Sequence, residues 1–289
     1  MRREILLASD VGNYRVTQGD RGGGGGGGGG TEDRGNGDGR TGDRQELSEL
    51  GLLVPNLELA TGCSPAHLPG NPPSTLAQSL SHRILTLLHI VDLIPLQDLR
   101  IWYTPDGPAM PGGREGGEEA EAVVPEVKAF WTLYIDILFI SLDGNPFDAA
   151  WGAVLAALGD TKLPRAWWDG DKQMVLCDER VSEAKTLQMN GFPVAATFAV
   201  FVGKGERGGE KGKGKGKGET KWILADPDDF EEGLCEEGVT VAVDGEDEVQ
   251  GRVLRLEKSG GAVVGVRERR ELVRLAGRRW REWRDVLGG

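Results

Sequence analysis

The stretch Val127–Leu142, VKAFWTLYIDILFISL, leaves this chain the fewest options. It is crowded with aromatic and β-branched residues and is the strongest strand signal in the sequence. It runs directly into Asp143-Gly144-Asn145-Pro146, a compact turn, and then into a helix over about Phe147–Leu158. Five alanines in that helix (149, 150, 153, 156 and 157) let its backbone lie close against a sheet. Strand, turn and small-residue helix in succession mark a layered fold of sheet and helix.

The flanking sequence extends this pattern. Leu52–Leu59 reads as a short extended piece, and the Pro-rich run that follows as a fixed loop. Ser74 sits as an N-cap, and Leu76, Leu80, Ile84, Leu87, Leu88 and Val91 recur every three or four residues, one apolar helix face. His82 and His89 fall off that stripe and read as solvated or partner-facing. Leu99–Tyr103 is a further strand, joined to Val127–Leu142 through a breaker-rich acidic insertion, which closure entropy tolerates because its cost grows slowly with length. Asp136 inside the long strand reads as an interface carboxylate or a satisfied one. Residues 193–201 and 221–226 form one strand pair across a Gly/Lys-rich loop, and 238–244 and 252–258 a second. From Val266 to Leu287 the chain reads as a terminal helix whose buried face carries Leu272, Ala276, Trp280, Trp283 and Leu287.

Charge narrows the function classes. Forty-six acidic against 34 basic residues leave a net charge of -12, which argues against a broad basic face gripping nucleic acid unaided. The terminal helix is an exception, with eight arginines against four acids. It reads either as a solvated outer face or as a contact for RNA or an acidic partner, with Arg278 and Arg279 the residues to neutralise. Cys63, Cys177 and Cys235 are too scattered for a zinc site with the three histidines, and read as reduced thiols of a cytosolic or nuclear protein. Neither a membrane span nor a signal peptide is legible.

The first fifty residues do not read as a domain. Glu4–Ser9 is strand-like but no partner strand follows it, and the nine glycines Gly22–Gly30 with the polar run after them offer almost nothing to bury. Order is expected from near Leu52. The search for chemistry finds no phosphate-cradling loop, since Gly22–Gly30 lacks the Lys-Ser ending. The alternating Lys/Gly run before Glu219 reads as a soluble loop. One carboxylate cluster, Asp226, Asp228, Asp229, Glu231 and Glu232, stands at a strand end where acids can hold a divalent ion, but no phosphate-binding groups accompany it.

Several segments together carry a family resemblance: GLLVPNLELATGCSP, WTLYIDILFISLDGNPFDAAWGAVLAAL, FPVAATFAVF, WILADPDDFEE and GVTVAVDGEDEVQGRVLRLEKSGG. In order and spacing, over about residues 47–287, they resemble the RNase PH-like proteins of the eukaryotic exosome ring, and more narrowly its non-catalytic subunits related to the archaeal regulatory subunit. The resemblance implies an α+β fold of the RNase PH-like βαβ type (ribosomal protein S5 domain 2-like) with glycine-rich loop insertions. It implies residues 1–46 as a disordered Gly-rich remnant, 47–202 as a partial first RNase PH-like domain, and 203–220 as a Gly/Lys-rich loop. Residues 193–265 then form the second strand region and 266–287 the C-terminal helix. Relatives carry a helix and strands ahead of the segment resembling EILLASD, here at residues 4–10, so an N-terminal truncation is expected, with the apolar faces of Val127–Leu142 and Leu99–Tyr103 left uncovered.

Phosphorolytic relatives use paired aspartates after a strand and arginines that hold phosphate. ADPDDFEE stands in that region here, with Asp226 at its start, while Glu231 and Glu232 resemble the acids of the inactive branch. The resemblance therefore implies no catalytic residue, no cofactor and no metal ligand. It implies a scaffold that threads RNA through an assembled channel, with the other ring subunits and the cap subunits as partners and no membrane, working in nucleus, nucleolus and cytoplasm. A phosphate-dependent 3'-5' exoribonuclease and an RNA-binding or interaction module are the alternatives.

Overall fold

A computed structural model of the chain describes residues 7–10, 14–18, 39–68, 70–103, 125–203, 220–235, 237–245 and 251–287. The nine glycines, the acidic insertion and the Lys/Gly run lie outside the described residues, so the expectations placed on them are not addressed. The elements in order are β1 (Leu7–Asp10), β2 (Tyr14–Gln18), α1 (Gly39–Glu49), β3 (Leu53–Leu59), α2 (Thr75–Val91), α3 (Leu96–Leu99), β4 (Arg100–Tyr103) and β5 (Glu126–Phe139). Then come α4 (Pro146–Asp160), β6 (Lys162–Leu163), β7 (Ala166–Asp169), β8 (Met174–Cys177), β9 (Lys185–Thr186) and β10 (Val194–Gly203). The last are β11 (Thr220–Ala225), α5 (Asp229–Leu234), β12 (Glu237–Asp244), β13 (Arg252–Gly260) and α6 (Val266–Leu287).

The long apolar stretch, β5, is the spine of the first sheet. β3 runs parallel to it, and the connection between the two strands passes through α2, α3 and β4. β4 returns against it antiparallel, so the acidic insertion does join a hairpin. The strand-like segment near the start, which has no partner in the residues that follow it, finds one elsewhere in the chain: Leu7 aligns with Phe139 and Asp10 with Asp136, and β2 pairs antiparallel with β5, Tyr14 opposite Leu133. The partner lies more than a hundred residues away, beyond what local pattern reports. The inward face of these strands is covered, with Leu133, Ile135, Ile137, Phe139 and Ile101 at most 2% exposed, whereas Trp102 and Ile140 remain 43% and 42% exposed. Order also begins before Leu52, because α1 buries Leu47 and its Asp43 and Glu46 pair with Arg100 at 3.0 and 2.8 Å.

α2 starts where its cap predicts, with the Ser74 hydroxyl accepting from the Ala77 N–H, and it buries Leu80, Ile84, Leu87, Leu88 and Val91. Leu76, in its first turn, points to solvent instead. Asp136 is a satisfied carboxylate, accepting from Asn56 across the β3–β5 pair at 3.1 Å. His82 is exposed as expected, whereas His89 is half-buried, its Nδ1 has no hydrogen-bond partner among the described residues, and burial followed by the charge of Arg44 pushes its pKa down.

The second sheet has the order β11-β10-β12-β13, antiparallel throughout. β10 is apolar on both faces because both are covered. Val194, Ala196, Phe198 and Val200 meet Leu272, Ala276 and Trp280 of α6, while the smaller Ala195 faces the core under α2 and α4. The layers are thus sheet, helices, sheet and helix. Two indoles anchor the entry to β10: Trp151 of α4 donates to the Pro193 carbonyl and Trp280 of α6 to the Phe192 carbonyl, both at 2.8 Å. Gly152 lets the far end of α6 come down on α4, since a Cβ there would sit 2.6 Å from the Trp283 ring. Among the described residues no helix is long and apolar enough to cross a membrane.

Candidate functional site

The Asp143–Pro146 turn does more than reverse the chain. Gly144 (φ 77°) and Asn145 (φ 43°) both adopt the left-handed region, which brings the Gly144 backbone against Asp228 and Asp229 at the start of α5; a Cβ on Gly144 would lie 2.4 Å from a backbone atom there. The same turn throws Asn145 into the protein, where it is 4% exposed. Its amide donates to Asp148 at 2.9 Å and to Asp226 at 2.8 Å, and its backbone N–H donates to Glu232 at 2.9 Å. Pro146 then opens α4 and places Asp148 in its first turn.

Asp148 is the centre of the junction and is 1% exposed. One carboxylate oxygen accepts from the Thr197 N–H and the other from the Thr197 hydroxyl, each at 2.7 Å. The Arg279 guanidinium of α6 lies 3.4 Å from it and 3.9 Å from Asp226, and stacks 5.3 Å above Trp283. A buried carboxylate with this many donors is tolerated where an isolated one would not be. On the far side, Thr197 meets the Thr240 hydroxyl at 3.0 Å, and Arg83 of α2 donates to Thr240 at 3.1 Å and to Glu257 at 3.0 Å. Arg83 also lies 4.0 Å over Phe147, and Arg255 completes the chain by donating to Glu257. One continuous polar thread therefore ties α2, α4, α6 and the strands β10, β12 and β13.

The acids singled out in the sequence occupy this region, but each has a local task. Asp226 takes the left-handed region (φ 56°) after β11 and accepts from Asn145. Asp228 caps α5 by accepting from the Glu231 N–H, and Glu231 accepts back from the Asp228 N–H, both at 2.8 Å, a reciprocal capping box. Glu232 is turned inward to Asn145. Burial pushes its carboxyl above the usual range; the Asn145 N–H pulls part of that back, Asp229 and Asp148 push up, and Arg83 pulls down. Asp229 is exposed. Among the described residues no group of three or more His, Cys, Asp or Glu is placed to hold a metal. A cleft of about 350 Å³ opens beside the junction, bordered by Ser141, Asp143, Asn145, Asp226, Arg279 and Trp283. The Asp226 side chain is 53% exposed and faces the Arg279 cation.

Sequence reasoning found Asp226 and its neighbours but not Asp148, Thr197 or Arg83. Asp148 reads from sequence as an ordinary first-turn acid of a helix, and nothing local announces that β10 brings Thr197 to it. Arg279 is corrected: it was grouped with Arg278 as a candidate external contact, whereas its side chain is turned into the junction and only Arg278 is exposed. The cysteines are free thiols, and burial pushes the pKa of each upward.

Residues 34–164 match the 3' exoribonuclease family, domain 1. The exosome complex component rrp43 of Schizosaccharomyces pombe is 33% identical over 214 residues, which cover 74% of this chain and 62% of that protein. The exosome complex component Rrp42 of Methanothermobacter thermautotrophicus is 29% identical over 154 residues, covering 53% of this chain and 46% of that one. The chain thus spans less than two thirds of the length of either relative. In fold it is similar to a chain of the Archaeoglobus fulgidus exosome with RNA bound to the active site, at a TM-score of 0.52 and 22% identity, covering 81% of this chain and 70% of that one. An archaeal exosome core chain gives a TM-score of 0.51 at 20% identity over 83% of this chain and 69% of that one. With its α+β architecture and paired sheets, the chain has an RNase PH-like fold and is similar in sequence to exosome complex components.

Proposed function

We propose that this chain is a non-catalytic structural subunit of an exosome ring, of the kind represented by the Schizosaccharomyces pombe component rrp43. It supports 3'-5' RNA processing and degradation, including rRNA maturation and mRNA turnover, by scaffolding the ring and helping to thread RNA. Its partners are the other RNase PH-like ring subunits and the cap subunits, with RNA passing through the assembled channel, in nucleus, nucleolus and cytoplasm.

The observation that carries this reading is the employment of the strand-end acids. Asp228 and Glu231 cap a helix, Glu232 and Asp226 hold Asn145, and Asp148 is buried under Thr197 and Arg279. A phosphorolytic site needs a carboxylate free to move a proton beside a cation free to hold phosphate. Here the cation at the cleft, Arg279, is shared between the two carboxylates.

The test has two arms. Co-expressed with the remaining ring subunits, the chain is expected to purify with them at one copy per ring; its absence from the ring sinks the scaffold reading. Incubated with labelled RNA, phosphate and magnesium, the chain alone is expected to release no nucleoside diphosphate. Release that disappears in Asp226→Asn would establish catalysis and overturn the non-catalytic assignment.

A further inference from the structure

Several arginines of this protein are held by acids. Arg83, Arg100, Arg180, Arg255, Arg274 and Arg279 each have a carboxylate partner. Arg252, Arg269 and Arg270 do not: among the described residues none of the three makes an ion pair, and all are exposed. They converge on one groove of about 510 Å³ between the start of β13 and the first half of α6. Its floor and walls are aliphatic, with Val253 and Val266 46% and 57% exposed and Val273 beneath them. On α6, positions 266, 269, 270 and 273 fall on one helical face, so two valines and two arginines point into the groove together.

We propose that this groove is a docking site for an acidic, aliphatic-rich peptide segment of a partner protein. Guanidinium forks match carboxylates in paired hydrogen bonds, and clustered arginines are a common means of reading acidic motifs. The exposed valines provide the second half of the recognition, since apolar side chains between the acids remove that surface from water. RNA fits less well. Sequence-tolerant RNA grooves stack bases on aromatic rings, and no ring is among the described residues that line this one. A polyanion also meets the repulsion of a chain carrying a net charge of -12. A short peptide feels chiefly the charges within a Debye length, about 8 Å at physiological salt, and Arg252, Arg269 and Arg270 line the groove itself.

The experiment uses the full chain and fluorescence anisotropy with three labelled probes of equal length: a peptide of Asp and Glu interspersed with Leu and Val, a peptide of Glu and Ser, and an oligouridine RNA. Saturable binding is expected for the first, weaker binding for the second, and the weakest for RNA. Reversing Arg269 and Arg270 to Glu should weaken the first probe by roughly tenfold or more, while Lys at both positions retains most of the affinity. Val253→Ser, on β13, should weaken it several-fold without touching α6, which keeps the test decisive if the α6 variants misfold. No saturable binding, binding indifferent to Arg269 and Arg270, or equal affinity for the Glu/Ser peptide overturns the proposal. Tighter, arginine-dependent binding of the RNA replaces the peptide with a nucleic acid.

Discussion

Asp148→Ala is the sharpest test of the polar thread. The substitution removes three accepted hydrogen bonds, two from Thr197 at 2.7 Å and one from Asn145 at 2.9 Å, and the partner of Arg279 at 3.4 Å. A hydrogen bond to a charged group contributes about 1.5–3 kcal/mol, but these share one carboxylate and do not add independently. Breaking a buried ion pair by deleting one side costs about 3–5 kcal/mol, because the remaining charge and the Thr197 N–H stay desolvated. We therefore expect a loss of about 4 kcal/mol, a large part of the roughly 5–15 kcal/mol that holds a domain together. Asp148→Asn should cost less, about 2 kcal/mol, since its oxygen can still accept from the Thr197 N–H while its amide donates to the Thr197 hydroxyl. The assay is urea denaturation followed by tryptophan fluorescence, with a lowered midpoint at unchanged slope. Thermal unfolding should show a drop on the order of 8–16 °C for the alanine variant. Asp229→Ala, at an exposed acid of the same region, serves as the control and should shift stability by no more than about 0.5 kcal/mol. An Asp148→Ala cost below about 1 kcal/mol would refute the claim that this junction organises the fold. So would strict additivity with Arg279→Met, because charges in direct contact must couple.

Two further predictions follow from the same geometry. Gly152→Ala should destabilise by about 1–3 kcal/mol and shift tryptophan fluorescence, because the added methyl meets the Trp283 ring at 2.6 Å and outweighs the helix propensity gained; increased stability would show that the contact yields freely. Glu232→Gln tests the buried carboxyl through pH. With the folded-state pKa raised above the ordinary 4.5, the protonated acid favours folding below that value, and the benefit is lost as pH rises through the folded pKa. Glutamine imitates the protonated acid and still accepts from Asn145. The variant should therefore be more stable than the natural protein at neutral pH, with the difference closing as pH falls toward 4.5; a difference independent of pH would exclude Glu232 as its source.

Much of this protein is legible residue by residue. Ser74 announces the start of α2, the Asp143–Pro146 turn that of α4, the three-and-four spacing from Leu272 the buried face of α6 (though Leu287 at its end is exposed), and apolar runs either side of turn-rich loops the hairpins of the second sheet. These signals are local, since helix caps and strand periods depend on neighbours a few residues apart. What the sequence cannot report is which distant groups meet. Leu7–Asp10 and Tyr14–Gln18 have no partner nearby in the sequence, yet both pair with β5. Asp148, Thr197 and Arg279 are unremarkable in their own segments and acquire their roles only when α4, β10 and α6 pack. The physical reason is the same in both cases. Local propensity sets each element's form, whereas a buried charge and a strand edge find their partners through long-range packing. That packing turned the strand-end acids from candidate chemistry into structural fasteners, and brought Arg252, Arg269 and Arg270, none of them in an ion pair among the described residues, to one groove.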